Sequence, residues 1–303
     1  MAHATKALRA LLKRKKFITM PSAYDSLTAR MIQAAGFDVV YNGGFVTGGS
    51  SCISEPLLSM NEQLRVASDM ANVVKVPVVM DAGAGWGEPL HTMRTVRETI
   101  RGGVAGIHIE DQLFPKRAHY HTYVAHNIPI EEYRDKIRLA CEQRDALDPD
   151  FVIIARSDAC RIQGYKEAIK RVNLAARHGA DMSLIFPRND KEAANAPRDS
   201  ELPVVYVLSR GNRDKRPNYT YGELADMGYK AVIDATLSVC VNFHYTKRVL
   251  DEIKRTGAYS GMTEQDFVVT RKGVEDMIGL DDYYRIESET VEKLHQGKKK
   301  AKR

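Results

Sequence analysis

Short apolar runs alternate with longer amphipathic runs along most of the chain. The apolar runs are four to six residues long. Runs of this kind are typical of buried strands. Eight strands are predicted, at Phe17–Met20, Phe37–Tyr41, Val78–Asp81, Gly106–Ile109, Phe151–Ala155, Met182–Phe186, Pro203–Leu208 and Lys230–Ile233.

The amphipathic runs between these strands carry apolar residues at helical spacing. Ala23–Ala35 is one such run, and Gly36 follows it as a stop. Ser59 and Glu62 have the spacing of a capping box and predict the start of another helix. Further helices are predicted at Leu90–Arg101, Ile130–Leu147, Tyr165–His178, Tyr221–Met227 and Leu237–Thr256.

Strands that alternate with helices at this spacing indicate βαβ units and a parallel sheet. Eight units in about 240 residues favour a closed (β/α)8 barrel over an open sheet. No GxGxxG motif follows the first strand, which weighs against a dinucleotide-binding fold. We therefore expect an α/β fold, a TIM barrel in a single domain over residues 1–303. Residues from about 257 to 303 are expected to form a helical extension and a basic tail.

Composition narrows the class of protein. Lys and Arg number 45 against 39 Asp and Glu, and much of the excess lies in residues 13–16 and 298–303. The basic tail has no interleaved aromatic residues, so nucleic acid is not an expected partner. No apolar run reaches the roughly 18 residues of a membrane span, and a signal-peptide cleavage site is not visible. The four cysteines form no CxxC pair, which favours reduced thiols in a cytoplasmic protein.

Polar residues collect where the predicted strands end. In a parallel barrel the active site forms at the carboxyl ends of the strands. The residues there are Tyr41, Asp81, Glu110, Asp111, Arg156 and Asp158. Carboxylates from neighbouring strands suit Mg²⁺, and an arginine beside them can stabilise a developing oxyanion. A single strand-end carboxylate is equally often a helix cap or an ion-pair partner, so the site hypothesis depends on three charged strand ends converging.

Seven short motifs carry a family resemblance, in a fixed order along the chain: Pro21–Asp25, Val40–Tyr41, Met80–Asp81, Ile109–Gln112, Phe114–Arg117, Ala155–Ala159 and Gly179–Asp181. Together they resemble the isocitrate lyase and phosphoenolpyruvate mutase superfamily, over about Leu8 to Thr256. The resemblance is greatest to the short methylisocitrate lyase-like branch.

The resemblance implies a barrel with a helix swapped between subunits, in a homodimer or homotetramer. It also implies a small 2-oxo or 2-hydroxy carboxylic acid as substrate, chelated to Mg²⁺, with Mn²⁺ as an alternative ion. Asp81 would bind the metal directly and Glu110 through water. The substrate would be held by Tyr41, the backbone amides of Gly43 and Gly44, and Arg156. Arg156 would also stabilise the enolate oxygen, and the loop from Lys116 to His121 would close over the substrate.

Several positions depart from the family pattern, and three of them bear most on the chemistry. The Asp-x-Asp turn reads Asp81-Ala82-Gly83, so one carboxylate of the metal site is missing. The cysteine that is the acid/base of the lyases is replaced by Ala118, which cannot transfer a proton. Arg188 stands where many lyases have a glutamate. An acid replaced by a base in a pocket indicates a different substrate charge, so Arg188 is a further substrate-binding candidate.

The loop offers other groups for proton transfer. Together with Arg156, the candidate catalytic residues are Lys116, His119 and His121, because histidine is the usual proton carrier near neutral pH. Two alternatives stay open. The histidines could simply face solvent, or His119, His121 and His126 could bind Zn²⁺.

The leading functional hypothesis is a Mg²⁺-dependent lyase that cleaves a C–C bond through an enolate. A decarboxylase, a C–C hydrolase or a phosphonate-handling enzyme of the same superfamily would not need the missing cysteine. A catalytically silent binding protein is the alternative from another class. Retention of Asp81, Glu110 and Arg156 argues for an enzyme, since a silent barrel has no need of all three.

Overall fold

The computed structural model describes residues 2–117 and 124–293, and within these ranges eight parallel strands form one sheet. The strands are β1 Ile18–Pro21, β2 Val40–Asn42, β3 Val78–Asp81, β4 Gly106–Glu110, β5 Val152–Ser157, β6 Met182–Ile185, β7 Val204–Leu208 and β8 Ala231–Asp234. Their order is β1-β8-β7-β6-β5-β4-β3-β2. A parallel bridge between Ser22 and Tyr41 brings the two edge strands together. The sheet is therefore a nearly closed barrel, and the predicted TIM barrel is confirmed.

Helices surround this barrel and continue after it. They are α1 Ala2–Arg14, α2 Ser26–Ala34, α3 Gly44–Ser50, α4 Met60–Val73, α5 Pro89–Arg101, α6 Ile130–Leu147, α7 Ala159–Ile162, α8 Tyr165–Ala176, α9 Asp190–Asp199, α10 Tyr221–Asp226, α11 Leu237–Thr256, α12 Glu264–Ile278 and α13 Leu280–Glu289. The capping box predicted at Ser59 and Glu62 opens α4, and each residue's side chain accepts from the other's backbone N–H. None of these helices is long and apolar enough to cross a membrane.

The N-terminal helix α1 packs at the amino ends of the strands. Leu8 and Leu11 are buried in the cluster that fills the barrel, beside Val152 at the start of β5. Arg9 of the same helix donates to the carbonyl of Phe151 at 2.9 Å. Covering the amino ends leaves the carboxyl ends as the side on which a site can open.

Three helices were missed in the sequence, α3, the four-residue α7 and α9. The glycine-rich segment after β2 folds as α3, which buries Val46 and Thr47. A Cβ on Gly48 would come within 2.8 Å of the Ile53 carbonyl oxygen, so the close approach of the next turn requires glycine there. α9 was also missed, because Pro197 near its end lowers the helical signal of the segment.

The chain divides into two compact units, residues 1–241 and 242–303. The division falls inside α11, whereas the predicted start of the extension was about residue 257. In the described part of the second unit no residue is buried, and many large apolar side chains are exposed. They include Phe243, Leu250, Phe267, Val268, Val269, Tyr283, Tyr284 and Ile286. The predicted basic tail, residues 298–303, lies outside the described residues.

Candidate active site

Adjacent strands bring the predicted metal ligands and the predicted arginine to one edge of the barrel. Asp81 is the last residue of β3 and pairs in register with His108 of β4. Glu110 is the last residue of β4 and pairs with Arg156 of β5. Both β4 and β5 run longer than predicted, so Glu110 and Arg156 belong to the strands themselves. Their backbones are fixed by the sheet, which makes this part of the site rigid.

Arg156 is the centre of the charged network. Its Nη2 lies 2.9 Å from Glu110 Oε2, and its Nη1 lies 3.7 Å from Asp81 Oδ2. Nε and Nη2 also donate to the two oxygens of Asp158, each at 3.0 Å. Burial opposes the charge of the guanidinium, but the carboxylates around it outweigh this effect and raise the pKa of Arg156. The arginine is therefore a permanent, oriented cation between strand-end acids.

Lys116 joins the network from the loop after β4. Its Nζ lies 2.8 Å from Glu110 Oε1 and also contacts Oε1 of Glu55, and only 7% of the side chain is exposed. Burial lowers its pKa, but Glu110 and Glu55 outweigh this and raise it, so the ammonium stays charged. A Cβ added at Gly83 would lie 3.9 Å from the same Nζ. Lys116 thus stands next to the position where the family's second aspartate is absent.

The Asp81 carboxylate is held by backbone amides and by its neighbours. Oδ1 accepts from Gly83 N–H at 2.8 Å, and Oδ2 accepts from Gly44 N–H at 3.4 Å. Burial raises its pKa, but the interactions with His108, Arg156 and Lys116 outweigh it, and the pKa falls below its ordinary value. Burial lowers the pKa of His108 to about 4, so this imidazole is neutral near pH 7. His108 Nε2 is 2.8 Å from the hydroxyl of Tyr41.

The donor set fits a divalent cation. The acids Asp81, Glu110, Glu55 and Asp158 face the permanent cations Arg156 and Lys116. Two negative charges are left over when all four acids are ionised. Burial raises the pKa of Glu110 to about 7, against the two cations that lower it. Within the described residues neither oxygen of Glu110 makes a well-aligned hydrogen bond. Among these residues no group of three or more Asp, Glu, His or Cys could enclose a metal. The arrangement suits Mg²⁺, which needs only one or two carboxylates.

A cavity of about 560 Å³ opens above this network. Its volume is within the roughly 300–1,000 Å³ of small-molecule sites. The predicted residues that line it are Tyr41, Gly43, Gly44, Asp81, Lys116, Arg156 and Arg188. Glu110 is fully buried and is not part of the wall. It acts on the cavity through Arg156 and Lys116.

Other predicted residues are not in this arrangement. His119, His121 and Ala118 lie outside the described residues, so the proton carrier and the zinc alternative stay predictions. His126 is described and exposed. Burial raises the pKa of the Cys160 thiol to about 12, and this side chain belongs to an apolar cluster, so Cys160 is a packed thiol.

Comparison with known proteins identifies the family. A model described as phosphoenolpyruvate phosphomutase matches residues 8–254, most of the chain. The chain belongs to this phosphomutase family. The superfamily resemblance seen in the motifs is thereby confirmed.

Relatives of this chain include two proteins that are named for a lyase reaction. The 2-methylisocitrate lyase of Aeropyrum pernix is 30% identical over 293 residues, which are 95% of this chain and 92% of the relative. The 2,3-dimethylmalate lyase of Eubacterium barkeri is 33% identical over 287 residues, 92% of this chain and 96% of the relative. The chain is thus an enzyme of the isocitrate lyase and phosphoenolpyruvate mutase type, with relatives that are lyases of small carboxylic acids.

Solved structures give the same family result. Oxaloacetate acetylhydrolase in complex with 3,3-difluorooxalacetate superimposes with a TM-score of 0.87 and 28% identity, over 95% of this chain and 97% of that chain. Phosphonopyruvate hydrolase in complex with oxalate and Mg²⁺ has a TM-score of 0.82 and 26% identity, over 95% and 99% of the two chains. The names of these two structural neighbours describe different reactions.

Sequence reasoning missed part of the site. His108 has a signal that could have been used, because positions 108 and 110 share a face of β4 and Glu110 points to the network. Arg216 and Asp214 also line the cavity, and they come from the loop after β7. No periodicity marks a loop residue as part of a phosphomutase-family site, so only the fold could reveal them.

Proposed function

We propose that the protein is a Mg²⁺-dependent lyase that cleaves a C–C bond in a small 2-hydroxy or 2-oxo carboxylic acid, through an enolate. The observation that supports this best is the Arg156 guanidinium, aligned by Glu110 and Asp158 beside the Asp81 carboxylate. A buried cation fixed next to a metal-type carboxylate suits a reaction in which negative charge develops on oxygen.

Asp81 would bind the metal ion directly, and Glu110 would hold its water ligands once the ion displaces Lys116 from the Glu110 carboxylate, with Mn²⁺ as an alternative to Mg²⁺. Two carboxylates and the leftover negative charge of the network support this. The structure of phosphonopyruvate hydrolase with oxalate and Mg²⁺ shows the same pairing of a divalent ion with a small acid in a relative. When bound, the ion supplies a Lewis acid for the carboxylate and 2-oxygen of the substrate.

The substrate carboxylate would bind at Gly43, Gly44 and Tyr41. Gly43 and Gly44 stand at the start of α3, where backbone N–H groups have no partner within the helix. A Cβ on Gly44 would lie 2.5 Å from Cγ of Glu55, so glycine is needed for the approach. The Tyr41 hydroxyl is held by His108 and closes the same side of the cavity.

Bond cleavage requires two proton movements. The substrate's 2-hydroxyl loses its proton and becomes a carbonyl as the neighbouring C–C bond breaks. The bonding electrons pass to the leaving fragment as an enolate, which then takes up a proton. Arg156 would stabilise the developing oxyanion, and Lys116 would hold the loop closed over it through Glu110 and Glu55. His119 or His121 would carry the proton that Ala118 cannot.

Related reactions remain as the second candidate function. Without the lyase cysteine, a hydrolase, a decarboxylase or a phosphonomutase fits the same network, and the neighbours include oxaloacetate acetylhydrolase and phosphonopyruvate hydrolase. A silent binding barrel fits less well, because burying four acids and two bases is costly unless they act on a ligand.

We also propose a homodimer or homotetramer in which the C-terminal helices are exchanged between subunits. The exposed apolar side chains of the unit formed by residues 242–303 support a partner that covers them. All four cysteines are free, which supports a reducing compartment, and the cytoplasm remains the proposed location.

The decisive experiment is a screen of di- and tricarboxylic acids and phosphonates with Mg²⁺, read by product mass in H₂¹⁸O. A lyase gives two fragments without the label, a hydrolase incorporates it, a decarboxylase releases CO₂ and a mutase leaves the mass unchanged. Asp81→Ala should abolish turnover, whereas Asp226→Ala, at an exposed residue of α10, should not. Turnover that survives Asp81→Ala would overturn the metal mechanism.

A further inference from the structure

Asp111 is a strand-end acid that the chemistry proposed above does not use. It follows Glu110 directly after β4 and is fully buried, but it is not among the described residues that line the cavity. Successive residues of an extended chain point to opposite sides, so Asp111 faces away from the network that Glu110 joins. A buried carboxylate has to be hydrogen-bonded or paired, and its partners show which parts of the chain it holds.

Each oxygen of the Asp111 carboxylate accepts two hydrogen bonds. Oδ1 accepts from Asp158 N–H at 2.9 Å and from Asn127 Nδ2 at 2.6 Å. Oδ2 accepts from Ser157 Oγ at 2.6 Å and from Arg171 Nη1 at 3.2 Å. One carboxylate therefore joins three other parts of the chain, which are the end of the loop after β4, the end of β5 and the helix α8.

Asp111 fixes the carboxylate that aligns Arg156. The two oxygens of Asp158 accept from Arg156 Nε and Nη2, each at 3.0 Å. The N–H of Asp158 and the hydroxyl of Ser157 both donate to Asp111. Gln112 Nε2, next to Asp111 in the chain, donates to the Asp158 carboxylate as well. The direction of the Arg156 side chain therefore depends on Asp111 through Asp158.

Asp111 also fixes the base of the loop that carries Lys116. The Asp111 carbonyl accepts from Ile128 N–H at 2.9 Å, and its side chain accepts from Asn127. An antiparallel bridge pairs Gln112 with Asn127. The outgoing and returning segments of the loop are thus held together at Asp111, and Lys116 follows five positions later.

Arg171 is the counter-ion of this buried acid. Its side chain is 4% exposed, its Nη1 also donates to the Ile128 carbonyl at 2.9 Å, and its Nε donates to Glu167 Oε1 at 3.1 Å. Burial raises the pKa of Asp111, and the charge of Arg171 opposes this rise. A buried ion pair adds little net stability, because both charges lose their hydration. The geometry that this pair fixes is therefore the better account of its place behind the site.

We infer that Asp111 is a positioning residue of the reaction, which holds from behind the cavity the two segments that carry its cations, Arg156 and Lys116. The inference rests on the proposed function and adds to it a residue that acts through others. A guanidinium stabilises developing charge only while its N–H groups point at the oxyanion, because hydrogen bonds weaken steeply away from linear geometry. A small movement of Asp158 would therefore weaken binding of the oxyanion.

Binding of oxalate in the presence of Mg²⁺ tests this role, since its oxygens stand in for those of the reacting fragment. Trp86 is the single tryptophan and lines a small pocket beside the metal-type carboxylate, so its fluorescence can report occupancy. Asp111→Asn is compared with Asp181→Asn. Asp181 is a largely buried acid at the amino ends of the strands, where it accepts from Ile153 N–H at 2.8 Å and from Arg144 Nη1 at 3.0 Å.

Both substitutions should lower the Tm, because each breaks a buried ion pair. Only Asp111→Asn should raise the oxalate Kd, by about tenfold, which is the loss expected for one charge-assisted hydrogen bond. In an Arg156→Lys background the same substitution should raise the Kd by less than about twofold, because the group that Asp111 positions is already gone.

Ser157→Ala removes one of the four hydrogen bonds of Asp111 and serves if Asp111→Asn fails to fold. It should raise the oxalate Kd about threefold, which is the usual worth of one neutral donor. This effect should also disappear in the Arg156→Lys background.

Three results would overturn the inference while leaving the proposed function intact. They are unchanged oxalate binding in both Asp111→Asn and Ser157→Ala, an equal rise of the Kd in Asp181→Asn, and an undiminished effect of Asp111→Asn in the Arg156→Lys background. Failure of oxalate to bind the unmodified protein in a Mg²⁺-dependent way would instead reject the proposed function, and the positioning role with it.

Discussion

Gly83 offers a direct test of the metal hypothesis, because its φ of +48° and its open surroundings allow the missing family carboxylate to be restored. A Cβ there has Lys116 Cδ and Nζ as its nearest neighbours, both at 3.9 Å, which is ordinary contact. Aspartate tolerates the left-handed region better than most residues, at a cost of about 1 kcal/mol. Gly83→Asp should therefore fold, with a Tm lower by roughly 2–4 °C.

The new carboxylate would have two effects. It would attract Lys116, since two unit charges 4 Å apart near a protein surface interact by about 4 kcal/mol before desolvation is subtracted. Lys116 would then compete less with the metal ion for the Glu110 carboxylate. The site would also gain a third acidic oxygen donor, and ligand charge is one of the main determinants of affinity for divalent ions. We expect the Mg²⁺ Kd to fall by about tenfold.

The assay is a Mg²⁺ titration followed by Trp86 fluorescence or by the shift in Tm. Gly83→Asn is the matched control, because asparagine tolerates the same backbone conformation and is neutral. The asparagine variant should have the Tm of the aspartate variant and the Mg²⁺ affinity of the unmodified protein. Equal gains in both variants, or no gain in the aspartate variant, would refute the placement of the metal beside Asp81.

Three further outcomes are expected. Gly44→Ala should displace the Glu55 side chain and raise KM at least several-fold, because the added Cβ would lie 2.5 Å from Glu55 Cγ. Gly49→Ala is the control and should leave KM unchanged, because the nearest atom to its Cβ is 3.6 Å away. Equal KM values in the two variants would contradict the requirement for glycine at position 44. Arg156→Lys keeps the positive charge but loses the planar guanidinium with its paired N–H donors, so kcat should fall by about 10²–10³. A decrease in kcat below twofold would reject the proposed stabilisation of the oxyanion by Arg156. Burial raises the pKa of the Cys141 and Cys160 thiols to about 12. A thiol reagent at pH 8 should therefore label at most two cysteines in the native protein and all four in denaturant. Fast labelling of a third cysteine in the native protein would contradict this burial.

Much of the barrel was predictable because the spacing of apolar residues and the length of each apolar run distinguish strands from helices. Strands β3, β6, β7 and β8 lie within a residue or two of their apolar runs. The helix α3 was not predictable, since its sequence is rich in glycine and its stability comes from packing of Val46 and Thr47. Helix propensity reflects only the local preference of the sequence, and in α3 tertiary contacts decide the conformation.

The same distinction applies to the candidate site. Asp81, Glu110 and Arg156 could be named from sequence because strand ends in a barrel converge. Lys116 was also named, but its ion pairs were not, and Arg216 was not named at all, because each position depends on a loop that returns to the cavity. The double ion pair of Lys116, with Glu110 and Glu55, joins residues that are 6 and 61 positions away. No local pattern encodes such a pairing.

The placement of α1 has a kinetic consequence. Leu8 and Leu11 fill the amino ends of the strands, so substrate and products reach the buried acids through the cavity at the carboxyl ends. A fragment held at Asp81 and Arg156 lies deeper than one held near Arg188. If the fragments leave through this opening, which the residues described in the structure form, the outer fragment departs first and the inner fragment last. Product inhibition should then be unequal: the inner product competes with fresh substrate for the empty enzyme, whereas the outer product rebinds only to an enzyme that still holds its partner.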